Sequence, residues 1–149
     1  MWFYASTSGR ACLAEWDRSL AVSDILSLLR DLKAALAVAG NRVILIVVVR
    51  QDVPAPGNYL VRCLEATLPA ILDGCQELIV AIEGNRSDRA SLRAAFQARR
   101  AGVTMRTPTR LFDTLNAAFG HAQGAAPHDV LELQRLVMRR SFPPTSQLT

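Results

Sequence analysis

Two kinds of hydrophobic pattern alternate along this chain, and the most regular is a short run without any polar residue. Positions 43–49 are Val-Ile-Leu-Ile-Val-Val-Val. A strand that is apolar at every position must be covered on both faces, which is typical of a central strand in a helix-covered sheet. The apolar run within 77–82 has the same character and predicts a second buried strand.

The stretches around these runs carry apolar residues three and four positions apart, which is the spacing of one helix face. Ser23, Asn58 and Thr107 are each placed to cap a helix. Gly120 is placed to end the fourth helix, and Pro69 is expected to kink or split the second. Helices are therefore predicted over about 24–39, 58–73, 87–100, 108–119 and 129–140.

The first residues predict a β-hairpin, because Trp2–Ala5 and Ala11–Trp16 flank a turn rich in serine and glycine. A short last strand is predicted at 103–106. Strands that alternate with helices imply crossover connections and a mostly parallel sheet. The predicted fold is therefore an α/β domain with a mixed sheet, an N-terminal hairpin plus parallel strands, and helices packed on it. Its predicted parts are the domain 1–120, a linker 121–128, and an appended C-terminal helix and tail 129–149.

The order of these elements resembles the STAS family, the sulphate transporter and anti-sigma-factor antagonist domains. The resemblance covers about residues 2–120 and rests on element order, on the strand 43–49 with the loop and helix after it, and on the ending 103–119. It implies a small cytoplasmic domain that docks on partners through that loop and helix. The family's phosphorylated serine has no counterpart in Val53–Tyr59, so the resemblance implies a docking domain without that switch.

Chain length and cysteine content restrict the class of protein. At 149 residues the chain suits one domain, which needs no disulfide or metal to fold. The odd number of cysteines and the lack of a CxxC pair argue against a disulfide framework and a zinc site. Cys63 and Cys75 are expected to be buried structural thiols, and a reducing, cytoplasmic location fits best. No apolar run approaches the roughly 20 residues of a membrane-spanning helix, so no integral membrane segment is expected.

Motifs for catalysis or cofactor binding are not found in the sequence. It contains neither G-x-S-x-G nor a glycine-rich phosphate-binding pattern. His121 and His128 lie in a stretch of small residues without a nearby cysteine or carboxylate cluster, so they are weak metal candidates. The turn Gly84–Ser87 opens a helix and could hold an anion, although helix capping is the simpler interpretation. We therefore expect no enzyme, no cofactor and no metal.

Positive charge is concentrated at 86–110, which contains seven arginines and one acid. Arg86, Arg89 and Arg93 recur at helical spacing and share one face with Arg100. This face is either solvated or a docking surface for an acidic protein, a phosphoinositide-like head group or a nucleic-acid backbone. Stacking aromatics do not interleave these arginines, so nucleic acid is the least expected of these partners.

The loop after the central strand is the other candidate surface. Prolines at 54 and 56 stiffen it, which lowers the entropy lost on binding, and tyrosine is favoured in interfaces. The alternative is that Tyr59 only covers the edge of the sheet. The predicted partner-binding residues are Asp52, Asn58, Tyr59 and Arg62 here, with Arg86, Arg89 and Arg93 as a second surface.

The sequence thus favours a non-catalytic protein-interaction module in cytoplasmic bacterial regulation, with a partner that is acidic if the arginine face is used. A homodimer is a further expectation, because the last helix must cover its own domain or a second copy. The aromatic segment Trp2–Tyr4 would also be exposed at a sheet edge. The alternative function is a small-molecule or lipid-binding domain, with a pocket between the sheet and the helix near Pro69.

Overall fold

Strands and helices follow one another in the order that the alternating hydrophobic patterns predict. A computed structural model describes residues 1–40, 42–84, 87–102 and 107–141. In these ranges the elements are β1 (Trp2–Ala5), β2 (Ala11–Trp16), α1 (Val22–Ala39), β3 (Val43–Val49), α2 (Asn58–Leu72), β4 (Cys75–Ile82), α3 (Ser87–Gly102), β5 (Thr109–Phe112), α4 (Leu115–Gln123) and α5 (Pro127–Ser141).

The strands form one mixed sheet with β3 in the middle. The order is β1-β2-β3-β4-β5, with β1 antiparallel to β2 and all other pairs parallel. Ile46 of β3 pairs with Leu13 on one side and Ile79 on the other. Every position of β3 is buried except Val47, which is half-buried. The α/β fold class and the interior position of 43–49 are therefore confirmed.

The two faces of β3 are covered by different sets of helices. On one face, Leu45 packs in a cluster with Leu32 of α1, Leu72 of α2 and Phe96 of α3. This follows from the topology, because three successive right-handed crossovers that step in the same direction place their helices on the same face. On the other face, alternate residues of β3 pack against α4 and α5: Ile44, Ile46 and Val48 contact a cluster that includes Phe119, Val130 and Leu133.

The last strand differs from the sequence prediction. The predicted strand 103–106 lies outside the described residues, and the structure instead forms β5 at Thr109–Phe112, where a helix was predicted. These residues pair in parallel with Leu78–Ala81, so sheet pairing prevails over the helix-start signal of Pro108. The helix begins later because the Thr114 hydroxyl caps it, accepting the Ala117 N–H at 3.1 Å.

The predicted linker 121–128 is also wrong in its bounds. Helix α4 passes through Gly120 and continues to Gln123, and α5 already begins at Pro127. A glycine inside a helix costs about 1 kcal/mol relative to alanine, and here the helix is held by packing, since Phe119 and Ala122 are buried against the sheet. The last helix is not an appendage, because it covers the sheet of its own domain.

Helix starts and ends agree with the sequence only in part. Gly40 ends α1 as predicted, with a φ of 65° and its N–H donated to the Leu36 carbonyl at 2.8 Å. Ser23 does not cap this helix, which begins at Val22 with the Asp24 carboxylate accepting the Ala21 N–H at 2.8 Å. Similarly, Asn58 is the first residue of α2 and Gly57 stands at the cap. Helix α2 runs through Pro69 without being split.

The turn of the β1–β2 hairpin is tied to α5 by two carboxylates. The N–H and hydroxyl of Thr7 donate to Glu132 at 2.9 and 2.5 Å, and the Ser8 hydroxyl donates to Asp129. Burial alone would raise the pKa of Asp129. Hydrogen bonds from the Ser8 and Ser6 hydroxyls and the charge of Arg10 outweigh it and lower the pKa below its usual 3.8.

The packing of α5 predicts how the chain responds to truncated side chains on this helix. Leu133 is fully buried in the core, whereas Leu131, two residues earlier, is 43% exposed. We expect Leu133→Ala to lower the free energy of unfolding by about 2–5 kcal/mol. Leu131→Ala should change it by less than about 1 kcal/mol. Urea denaturation followed by circular dichroism measures both, and equal small effects would contradict a core role for α5.

The lowered pKa of Asp129 predicts an acid-dependent contribution to stability. A carboxyl whose pKa is lower in the folded chain stabilises that state above its unfolded pKa and ceases to do so as pH falls through the folded pKa. Asp129→Asn should therefore destabilise the protein at pH 7, and the difference from the wild type should shrink as pH falls below about 4. Denaturation curves across this range test it, with Asp73→Asn as an exposed control. A difference that does not depend on pH would refute the assignment.

Candidate functional site

The loop between β3 and α2 is held rigidly at the carboxyl edge of the sheet. The Val53 side chain is 2% exposed and packs in the core with the α1–α3 face. Its N–H donates to the Arg50 carbonyl at 3.1 Å, and its own carbonyl accepts from the guanidinium of Arg89. Pro54 and Pro56 then restrict the rest of the loop. The loop is thus anchored on its inner side and stiffened on its outer side.

The predicted binding residues of this region all face solvent. Asp52, Asn58 and Arg62 are exposed, and the Tyr59 side chain is 71% exposed in the first turn of α2. Tyr59 therefore does not cover the edge of the sheet, which was the alternative interpretation. A large side chain at this exposure, at the start of a helix that follows an anchored loop, is available for contact with another molecule.

The predicted arginine face is not a solvent-facing surface where the structure describes it. Arg89 is 1% exposed, which contradicts both interpretations of this residue, as solvated surface and as docking surface. Arg93 is half-buried, and its guanidinium donates to the Ile82 and Gly84 carbonyls at 2.5 and 2.8 Å. Arg86 and the side chain of Arg100 lie outside the described residues.

The spacing of these arginines from apolar residues indicates that they point inwards, which a count of charges alone does not reveal. Arg89 and Arg93 each stand three positions before an apolar residue of α3 that packs against the sheet, Leu92 and Phe96 respectively. They therefore belong to the buried stripe of the helix. Their charged ends reach loop carbonyls at the carboxyl edge, where backbone acceptors would otherwise lack partners.

A charged network at the same edge was not predicted from the sequence. Arg50, the residue after β3, donates to Glu15 at 2.5 and 2.8 Å and to Glu83 at 3.0 Å. Glu15 is only 4% exposed and also accepts from Arg140 of α5. Glu83 accepts the Leu115 N–H at 3.1 Å, at the start of α4. Carboxyl ends of neighbouring parallel strands meet at one edge, so residues 50 and 83 could have been expected to meet.

Two members of this network, Arg50 and Glu83, line an open cleft of about 700 Å³. Gly84 turns the chain there with a φ of 109°, and a Cβ at this position would lie 3.2 Å from the Gln51 Cβ. The charges in the cleft largely compensate one another, because two arginines face three carboxylates. The lining residues are Arg50, Gln51, Asp52, Glu83, Gly84, Arg93, Asp113 and Thr114.

The cysteines and histidines do not form a reactive centre in the described part of the chain. Burial raises the pKa of Cys12 to about 12 and that of Cys75 to about 11, so both thiols are protonated at neutral pH. Cys75 is thus the buried thiol that the sequence predicts, whereas Cys63 is half-buried. His121 Nε2 lies 2.6 Å from Glu77 Oε1. Over the described ranges, no three His, Cys, Asp or Glu residues are grouped closely enough to hold a metal ion.

Two further findings bear on the class of protein. Among the described residues, every helix is too short or too polar to cross a lipid bilayer. Comparison of the chain with protein-family models, with curated proteins and with solved structures finds no match in any of the three.

The anchoring of the loop predicts the effect of removing the buried guanidinium. Arg89→Met retains an apolar stem of similar length but leaves the Val53 carbonyl without this donor, which should cost about 1–3 kcal/mol. Backbone amides at 51–57 should then exchange faster with deuterium, while amides of β3 keep their protection. The control is Arg62→Met, an exposed arginine on α2. Unchanged exchange in the loop would show that Val53 packing alone holds it.

Proposed function

We propose that this chain is a non-catalytic protein-interaction module in cytoplasmic bacterial regulation, similar in architecture to STAS domains. The binding surface is the anchored loop and the first turns of α2, with Asp52, Asn58, Tyr59 and Arg62 as contact residues. The observation that carries the proposal is the 71% exposure of Tyr59 in the first turn of α2, directly after a loop that Arg89 and Val53 hold in place. A rigid loop loses little entropy on binding, and exposed tyrosine is a frequent interface anchor.

The topology of the sheet supports contact with a macromolecule at the loop after β3. In open α/β sheets, ligands bind where adjacent loops diverge to opposite faces. Here the loops after β2, β3 and β4 all lead to helices on one face, whereas the loop after β5 leads to α4 on the other, so the divergence lies between β4 and β5. The loop after β3 is therefore one of a row that leads to the same face, which suits contact with a macromolecule.

Absence of a serine or threonine in 53–62 supports constitutive docking in this proposal. The segment is Val-Pro-Ala-Pro-Gly-Asn-Tyr-Leu-Val-Arg, with the Tyr59 hydroxyl as its one phosphorylatable group. The family that the chain resembles switches its docking by phosphate on a serine of this loop. Binding here is proposed to be unaffected by serine or threonine phosphorylation of the loop. Phosphate found on Tyr59 in protein from the native host would overturn this part.

The docking surface is tested by affinity purification with a matched pair of variants. Tagged wild type is compared with the double variant Tyr59→Ala/Arg62→Glu and with Met138→Ala/Arg139→Glu, which changes an equally exposed pair on α5. A direct partner should be retained by the wild type and the α5 variant and reduced about tenfold or more by the α2 variant. The same loss should appear with the purified partner by calorimetry. Equal recovery with all three proteins would overturn the proposed surface.

The cleft of about 700 Å³ keeps small-molecule binding as a second candidate function. Its size is within the range of ligand sites, and its arginines and carboxylates would suit a ligand that carries both charges. This cleft differs from the predicted apolar pocket near Pro69, and its charged lining does not favour a lipid tail. Native mass spectrometry of freshly purified protein distinguishes the two functions. A retained small molecule that is lost in Arg93→Met would favour the second.

A further inference from the structure

The free edge of β1, a strand of four residues, lacks the charged residue, proline and bulge that often protect a sheet edge. Edge strands commonly carry a charged residue, a proline or a bulge, which prevents pairing with another chain. Strand β1 is Trp-Phe-Tyr-Ala, without charge or proline, and it pairs with β2 in an unbroken register. It is the first strand in the sheet order, so none of the strands in the described ranges pairs with its outer side.

The hydrogen bonds of the hairpin identify which backbone groups point outwards. The Ser6 N–H donates to the Ala11 carbonyl of the neighbouring strand at 2.9 Å. Backbone groups alternate in direction along an antiparallel strand. The N–H and C=O groups of Tyr4 therefore also point towards β2, and those of Phe3 and Ala5 point towards the free edge.

An apolar groove lies beside the same edge, on the face that α1 covers. It has a volume of about 310 Å³ and runs between β1 and α1. Phe3 and Ala5 face it, because they pair with residues of β2 on the α1 face of the sheet. Its wall includes Ala34 and Val38 of α1, and the Val38 side chain is 71% exposed. The open edge and the groove thus form one continuous, mostly apolar surface, in which the charge of Asp31 is paired with Arg30 at 3.4 Å.

We propose that a second copy of this chain pairs its own β1 with this edge, antiparallel, so that the two sheets join into one. A two-fold axis perpendicular to the sheet places α1 of both copies on the same face. Residues opposite one another must then belong to the same face, which allows Phe3 to pair with the second copy's Phe3 or Ala5. The outward backbone groups belong to these same residues.

The favoured register places Phe3 opposite the second copy's Ala5, with Tyr4 opposite Tyr4 on the axis. This register forms two pairs that each exchange both N–H···O bonds, whereas Phe3 opposite Phe3 forms one such pair and brings two rings together. It also sets a large side chain against a small one. The Phe3 ring of each copy can then enter the groove beside Ala5 of the other, as alternate side chains do in added strands.

Charge near the edge does not oppose self-association, and the large Phe3 and the small Ala5, two positions apart on one face, make the edge complementary to itself, which favours a second copy over an unrelated strand. Two cations lie beside β1 among the contacts described: the Met1 ammonium, 3.6 Å from an Asp17 carboxylate oxygen, and Arg140, with its guanidinium carbon 4.1 Å from the Trp2 ring centre. This arginine is neutralised by Glu15 and by Asp17, the latter at 3.1 Å. Two copies related by the axis therefore bring together uncharged strands and compensated arginines.

The first test measures the mass of the full chain in solution by sedimentation velocity. We expect a species of about twice 16.3 kDa for the wild type. Ala5→Glu places a negative charge, at an already exposed position, in the groove that Asp31 also lines, and should yield the monomer. Ala66→Glu, at another exposed alanine on α2, should leave the dimer intact. A monomeric wild type, or a dimer that persists in Ala5→Glu with normal circular dichroism, would overturn the proposal.

The second test examines the register by disulfide trapping in a Cys12→Ala/Cys63→Ser background, which removes the half-buried thiol and the thiol directly opposite Ala5 in the hairpin. Residues directly opposite in a non-hydrogen-bonded pair have Cα atoms about 4.5 Å apart, within the range of a disulfide. Tyr4→Cys should therefore cross-link to itself on mild oxidation. Ala5→Cys should not, because its counterpart lies diagonally, at about 7–8 Å. The opposite outcome, or no cross-link in either variant, overturns this register.

The proposed dimer and the proposed docking surface can be refuted independently of one another. The docking surface lies on the loop after β3 and on α2, whereas the dimer uses β1 and α1. A β1 edge that captures an unrelated extended peptide while the chain itself stays monomeric would overturn the second-copy proposal. It would leave the partner contacts of Tyr59 and Arg62 unaffected.

Discussion

Burial of β3 on both sides is the constraint on which the other elements depend. Ile44, Ile46 and Val48 point to one side and Leu45 and Val49 to the other, so apolar surface must be supplied on both. The crossovers that step along the sheet can supply only one face, since right-handed connections in one direction put their helices on the same side. The second face therefore requires helices from the end of the chain, which α4 and α5 provide.

This division explains why charged residues gather at one edge of the sheet. Because helices cover both faces of the sheet, the backbone leaves the core at the carboxyl ends of the strands. The backbone carbonyls at this edge need hydrogen-bond donors. Arg89 and Arg93 supply them from α3, and Arg50 joins the strand ends through Glu15 and Glu83. A buried pair that loses one partner is costly, so these arginines have a structural role before any role in binding.

The sequence pattern correctly predicted those elements whose structure is determined by local residues. The apolar run of β3 and the turn of the hairpin are local signals, and both were confirmed. The position of β5 was not predicted, because Thr109–Phe112 becomes a strand by pairing with β4, a contact remote in sequence. The direction of Arg89 was missed for a related reason: helical spacing groups residues on a face but does not say which face the sheet covers.

For the candidate site, the sequence predicted exposed residues near the loop but not the cleft. Asp52, Asn58, Tyr59 and Arg62 are exposed residues near the loop, as loop chemistry suggests. The cleft is lined by residues from four separate segments, including Glu83 and Asp113. A local sequence pattern does not show that segments so far apart in the chain meet in the fold.

Packing of α5 on the sheet also limits how this domain can be cut or joined to others. A fragment ending at Gly120 would uncover Ile44, Ile46 and Val48, which contact the last two helices in the intact chain. Three β-branched side chains exposed on the face of a strand would promote aggregation. Fusion partners and purification tags at this end are therefore best attached beyond α5, and a domain boundary drawn before it would divide the hydrophobic core.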